Sequence, residues 1–319
     1  MRVLASLAGL AWLAAAPLAQ ERSGLQNLLD AELARFPARA GVWVKHLTTG
    51  QEAGVHADDT FNSASVIKIP VLVLAFQLAE QGRLSLSERI TIRAEDVRGG
   101  SGIFRYHDAG LQPTFRDVLL QMVITSDNTA TDIAIGRVGG VDRVNAWLKE
   151  QGYADGLKLN QTTGALFAKY DALPQGANRN EKTNADRAYW LGEMTPHATG
   201  RLIETIQRQS TEGRKRDAGA ATAGTLQPPV ASKSADDMIR MMRAQQAGAR
   251  RLPHFLTVPV AHKTGDFPPV LANDVGVVFA RSGPIVISFF TNAIEGPYAE
   301  TEDRIGQVAR LIVEYFDGR

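Results

Sequence analysis

Residues Val258 to Thr291 read VPVAHKTGDFPPVLANDVGVVFARSGPIVISFFT, and this stretch decides the architecture. It holds three short runs, Val258 to Thr264, Val275 to Ala280 and Ile285 to Thr291, rich in β-branched and aromatic residues. Turn formers such as Arg281-Ser282-Gly283-Pro284 separate them, which predicts sequential antiparallel strands. On the C-terminal side, Ile305, Val308, Ile312 and Phe316 share one stripe of an amphipathic helix. At the other end of the chain, Leu25, Leu28, Leu29, Leu33 and Phe36 recur at helical spacing before the strand-like run Gly41-Val42-Trp43-Val44. Between the ends lie an apolar helix from about Val66 to Leu78, with Pro70 in its first turn, and another from Phe115 to Met122. Strands and helices at both termini around a helical middle predict an α/β (α+β) chain. Its antiparallel sheet is flanked by helices, and an all-helical lobe is inserted into it. The sheet lobe is expected over about 20–64 and 235–319, and the helical lobe over about 65–234. Residues 164–190 and 210–234 lack apolar periodicity and read as long surface loops.

The 319 residues carry 35 Lys and Arg against 34 Asp and Glu. Such a balance lacks the basic field expected of a nucleic-acid binder. The chain has no cysteine, which removes disulfides, thiolate zinc sites and thiol nucleophiles together. Arg2, an apolar run from Val3 to Ala16 and small residues ending near Ala19 have the layout of a secretory signal peptide over 1–19. The run is too short to span a bilayer. A periplasmic or secreted monomer with no membrane span is therefore expected.

Three short motifs carry the chemistry: Ser65-Val66-Ile67-Lys68, Ser126-Asp127-Asn128 and Lys263-Thr264-Gly265. Ser65 needs a base, and Lys68, three residues on, lies about one helical turn away on the same face. To accept a proton near neutrality Lys68 must have a lowered pKa, which burial and the second cation Lys263 would both supply. Gly265 leaves room for close backbone approach, Lys263 supplies positive potential, and Thr264 can hydrogen-bond a substrate carboxylate. His262 alternates to the opposite face of the same strand and reads as structural.

In this order the motifs resemble those of the penicillin-recognising serine hydrolases, and within them the class A β-lactamase family. The similarity extends over nearly the whole mature chain, through Ala40-Gly41-Val42, Gly100-Ser101-Gly102-Ile103, Thr195-Pro196 and Pro259 to Gly265. It implies a sheet-and-helix lobe packed on a helical lobe with the active site between them, and a small-molecule substrate, a β-lactam or a peptidoglycan-stem-like peptide. It implies that Ser126 relays a proton to the leaving nitrogen, that Asn128 hydrogen-bonds the substrate amide, and that Asp127 points into structure. The backbone N–H groups of Ser65 and Asp266 would form the oxyanion hole. No metal or cofactor is called for.

The chain departs from the family in two places. Hydrolytic class A enzymes carry a glutamate beyond the Ser-Asp-Asn motif that activates the deacylating water. A comparable distance from Asn128 lands near Gln161-Thr162-Thr163, where there is no carboxylate. Glu181, and after it Glu193, are the loop carboxylates expected to substitute. Phe267-Pro268-Pro269 and Asn273-Asp274-Val275-Gly276 stand in place of a small-residue turn and of the basic residue that often helps hold the substrate carboxylate. A β-lactamase is the first expectation. A D-alanyl-D-alanine peptidase-like penicillin binder with slow deacylation is the second, and an acylatable drug-sensing module comes from another class.

Overall fold

The computed structural model describes residues 24–217 and 230–318, so the expected leader peptide lies outside the described residues. Eight strands are present among them: β1 (Arg39–His46), β2 (Glu52–Val55), β3 (Phe61–Asn62), β4 (Leu157–Leu159), β5 (Gly192–Met194), β6 (Val260–Phe267), β7 (Leu271–Ala280) and β8 (Gly283–Asn292). The helices are α1 (Gly24–Leu33), α2 (Lys68–Glu80), α3 (Phe115–Ile124), α4 (Asn128–Arg137), α5 (Gly140–Glu150), α6 (Thr163–Asp171), α7 (Arg179–Ala185), α8 (Pro196–Asp217), α9 (Ser232–Arg243) and α10 (Tyr298–Asp317).

The main sheet has the order β2-β1-β8-β7-β6, antiparallel throughout. The three C-terminal runs are thus consecutive neighbours, as their spacing predicts, and β6 is an edge strand. Both faces of the sheet are buried, which is why its central strands read as nearly continuous apolar runs. Alternation still sorts the side chains. Ile285, Ile287 and Phe289 of β8 join Val42 and Val44 of β1 under α1 and α10. Trp43, Val275, Val277, Val286 and Phe290 face the other way, into the larger core built on α2. Full burial of each such side chain contributes roughly 1.5–3 kcal/mol.

Helix α2 is apolar on all sides, and Ile69 to Phe76 are buried without a break, the signature of a helix at the centre of a core rather than on its surface. Helix α3 starts at a capping box in which Thr114 and Asp117 satisfy each other's backbone N–H groups. Ser126 then turns left-handed at φ 54° and breaks the chain between α3 and α4. Asp127 caps the next helix by accepting from the Ala130 N–H at 2.8 Å.

Two expectations need correction. Residues 164–190 are not a long loop: they hold most of α6, all of α7 and a 3₁₀ turn at Arg187–Tyr189. Polar side chains replace the missing apolar periodicity there. The Tyr170 hydroxyl is 2.6 Å from Thr183 Oγ1, the Trp190 indole donates to the Thr183 carbonyl at 2.7 Å, and the Gln161 amide donates to the carbonyls of Ala188 and Trp190 at 2.9 Å each. Residues 210–217 continue α8 and Ser232 opens α9. The rest of the second expected loop, apart from 230 and 231, lies outside the described residues. Asn273 to Gly276 form the middle of β7, paired residue for residue with Gly265 to His262.

Candidate active site

Ser65 sits in a 3₁₀ turn, Ala64–Ile67, that leads directly into α2, with Lys68 as the first α-helical residue. In a 3₁₀ turn residues three apart eclipse, so the spacing keeps Ser65 and Lys68 on one face. Ala64 is left-handed at φ 41°. With Ser126, two of the four non-glycine residues at positive φ among the described residues flank or belong to the motifs. Each costs about 1–3 kcal/mol, held in place by the surrounding structure.

The turn is tied down by the side-chain amides of three asparagines. Asn62 Oδ1 accepts from the Ala64 N–H at 3.1 Å, and Asn292 Oδ1 accepts from the Asn62 N–H at 3.0 Å. Asn273 Nδ2 donates to the carbonyls of Asn62 at 2.9 Å and Ser63 at 3.2 Å. Gly265 packs where β6 passes the turn: a Cβ there would lie 2.5 Å from the Ser63 carbonyl. These partners are distant in sequence, so no local pattern reveals them.

Behind Ser65 lies a polar cluster that water does not reach. Lys68 and Lys263 are both fully buried, and Ser126 is nearly so. Lys68 Nζ donates to the Ser126 carbonyl at 2.7 Å, to Ser126 Oγ at 3.1 Å and to Asn128 Oδ1 at 3.1 Å. Lys263 Nζ reaches the same Ser126 Oγ at 3.1 Å and the Thr264 carbonyl at 2.9 Å. Burial first, and the neighbouring Lys263 charge second, hold the Lys68 ammonium well below the usual lysine range. Burial likewise brings Lys263 down to about 8, against the opposing pull of Asp266 and Asp274. Lys68 bonds to Ser126 and Asn128 in this arrangement, and the Ser65 hydroxyl has no hydrogen-bond partner among the described residues.

Asp127 is turned inward: its second oxygen accepts from the Phe104 N–H at 2.8 Å. Gly102 permits this contact, since a Cβ there would lie 2.3 Å from the Asp127 carboxylate and the residue is left-handed at φ 109°. His262 bonds to the buried Asp274 at 2.8 Å. Thr264 is fully buried beneath the overhanging Ala247-Gly248 segment, and a Cβ on Gly248 would lie 2.4 Å from Thr264 Cγ2. Its hydroxyl has no partner among the described residues. The expected contact between Thr264 and a substrate carboxylate is therefore not open on this face.

Ser65 opens onto a cavity of about 580 Å³ whose walls include Ser101, Asn128, Thr163, Phe167, Arg251 and Asp266, a size suited to a small-molecule substrate. The glutamate substitutes are corrected here. Glu181 is exposed at the start of α7, its N–H bonded to Asn178 Oδ1 at 3.2 Å, and does not line the cavity. Glu193, on β5, pairs with Arg187 at 2.9 Å and Lys158 at 3.8 Å, also away from it. Both belong to a segment whose compact fold holds them where the sequence alone suggested slack.

Thr163 is the residue of the Gln161 to Thr163 run that faces the cavity. It is clamped by Asp132, which accepts from the Thr163 N–H and hydroxyl at 2.7 Å each and from the Gly164 N–H at 2.8 Å. Arg98 Nε completes the clamp on Asp132 at 2.9 Å. Asp132 lies four residues beyond Asn128 and hence on the same helix face, a spacing that could have drawn attention to it.

A model of the β-lactamase enzyme family matches residues 22–316. This chain belongs to the class A β-lactamase family. It is 26% identical over 275 residues to β-lactamase L2 of Stenotrophomonas maltophilia, covering 86% of this chain and 80% of that one. Among solved structures it resembles a β-lactamase from Sphaerobacter thermophilus at TM-score 0.71 and 24% identity, over 91% of this chain and 95% of that one. PBP-A matches at TM-score 0.72 and 25% identity, over 92% and 96%. No helix among the described residues is long and apolar enough to cross a membrane.

Proposed function

We propose that this class A family member is a serine hydrolase in which a β-lactam acylates Ser65 and the resulting ester is released slowly. The buried cluster of Lys68, Ser126 and Lys263 supports the first half. A lysine kept out of water beside a second cation can be neutral near pH 7, and Ser126 Oγ bridges the two ammonium groups so that a proton has a short route between them. Ser65 would be the nucleophile, Lys68 its base and Ser126 the relay to the leaving nitrogen. Asn128 would hold the substrate amide, and Lys263, buried behind the strand, would supply positive potential to the site. The N–H groups of Ser65 and Asp266 would receive the oxyanion, each worth on the order of 3 kcal/mol in the transition state.

Thr163 carries the second half. A hydroxyl has no basic form near neutrality, and this one already donates to Asp132. Neither Glu181 nor Glu193 is placed to replace it. That observation favours, as a second reading, a peptidase-like relative whose natural acyl donor is a peptide and for which a β-lactam is a slow substrate. Intact-mass measurement during incubation with benzylpenicillin tests both halves. A stoichiometric adduct that persists for minutes and is absent from Ser65→Ala is the expected result. Complete turnover with no adduct at any time would refute slow release, and a D-Ala-D-Ala peptide cleaved faster than penicillin would select the second reading.

A further inference from the structure

One end of the cavity is lined by Ala247, Gly248, Arg251, Asp266, Tyr298 and Glu302. Arg251 is the cation there, and its guanidinium is already occupied. Nε donates to Glu302 Oε1 at 3.0 Å, Nη1 to the Asn273 carbonyl at 2.8 Å, and Nη2 to the Tyr298 hydroxyl at 2.9 Å and to Asp266 Oδ1. An arginine has five N–H donors, so little of this one is left for a ligand. Its side chain is 2% exposed, whereas that of Asp266 is 28% exposed. A ligand arriving at this end therefore meets the carboxylate before the cation. Two carboxylates around one guanidinium leave this trio with a net negative charge, and Lys263, the further cation acting on Asp266, is fully buried behind it with its ammonium on Ser126 and Thr264. Burial alone would push the Asp266 carboxyl up, but Arg251 beside it keeps it below the ordinary range, so it is ionised. The Tyr298 hydroxyl, its pKa raised by burial, stays neutral. The buried Thr264 hydroxyl offers no compensating donor.

We infer that Asp266, backed by Glu302, makes this end of the cavity reject carboxylates, so that the preferred acyl donors carry an uncharged or cationic group there. The inference rests on the proposed acylation of Ser65. It separates this chain from an enzyme built to grip the acid of a penicillin. Arg251 serves here to hold the two carboxylates and the β7 carbonyl together, and a substrate acid would have to displace Asp266 from it.

The test compares second-order rate constants for labelling of Ser65, by intact mass and peptide mapping, with benzylpenicillin and with its methyl ester. The comparison is made in the unaltered protein, Asp266→Asn and Glu302→Gln. The expected result is that the acid-to-ester rate ratio rises on the order of tenfold in Asp266→Asn, the size of one partly screened like-charge contact. It should rise by a smaller factor in Glu302→Gln. The two variants carry the prediction independently, so the loss of one to misfolding leaves the other. A ratio unchanged in both overturns the inference while leaving Ser65 acylation intact. Only if neither the acid nor the ester labels Ser65 in any of the three proteins is the proposed function overturned, and the inference with it.

Discussion

The two walls of the cavity that face Ser65 are built from the same kinds of contact to opposite effect. On the side of α2, α4 and β6, the buried ammonium groups bond to neutral oxygens and meet at a hydroxyl that can itself pass a proton. Two lysines share one serine hydroxyl, and the low dielectric around them weakens both ammonium groups. On the side of α6, buried side chains commit everything. Asp132 takes the hydroxyl and N–H of Thr163 and the N–H of Gly164, and Arg98 neutralises Asp132. Burial therefore activates a polar group only where its partners can exchange protons with it. Where the partners are fixed, burial makes the group inert.

Three experiments press on that contrast, the largest effect first. Removing the base from the active wall by Lys68→Ala is expected to lower the acylation rate constant by about 10²–10⁴ while the chain still folds, as a general base would. Stopped-flow measurement with a chromogenic cephalosporin reads this directly, and a loss below tenfold would move the base elsewhere. Giving the inert wall a base by Thr163→Glu should speed deacylation by roughly tenfold to a hundredfold, toward the lower part of the general-base range because the nearby Asp132 carboxylate opposes a second negative charge. Adduct lifetime by intact mass checks it, and an unchanged lifetime would mean that the water lies elsewhere in the cavity.

The third concerns pH. In the proposed mechanism acylation requires Lys68 without its proton and Lys263 with one, so the rate should rise on the acid side as Lys68 deprotonates. It should fall above about pH 8 as Lys263 deprotonates, approaching about tenfold per pH unit. Lys263→Arg keeps its charge at every accessible pH and should move the alkaline limb upward by more than one pH unit. An alkaline limb that stays in place would take Lys263 out of the titration.

Much of this was legible in the chain itself. Short β-branched and aromatic runs between turn formers located the strands of the C-terminal half, and period-3.6 apolar patterns the terminal helices, because each reflects burial within a single element. Three short motifs singled out Ser65, Lys68, Ser126 and Lys263, because each lies within one local element: a helical turn for Ser65 and Lys68, a tight turn for Ser126 and an edge strand for Lys263. Over 164–190 the same reading failed, since its helices are held by Gln161, Tyr170, Thr183 and Trp190 through hydrogen bonds that leave no apolar stripe. The sequence, by itself, determined that the three motifs stand in this order and that the residues near 161–163 lack a carboxylate. Only the tertiary structure decided that Glu181 and Glu193 stay outside the cavity, that Asn62 and Asn273 brace the nucleophile turn, and that Arg251 is enclosed by Asp266 and Glu302. Those outcomes depend on which distant side chains the folded backbone brings within hydrogen-bond reach, and a one-dimensional pattern carries no such distance.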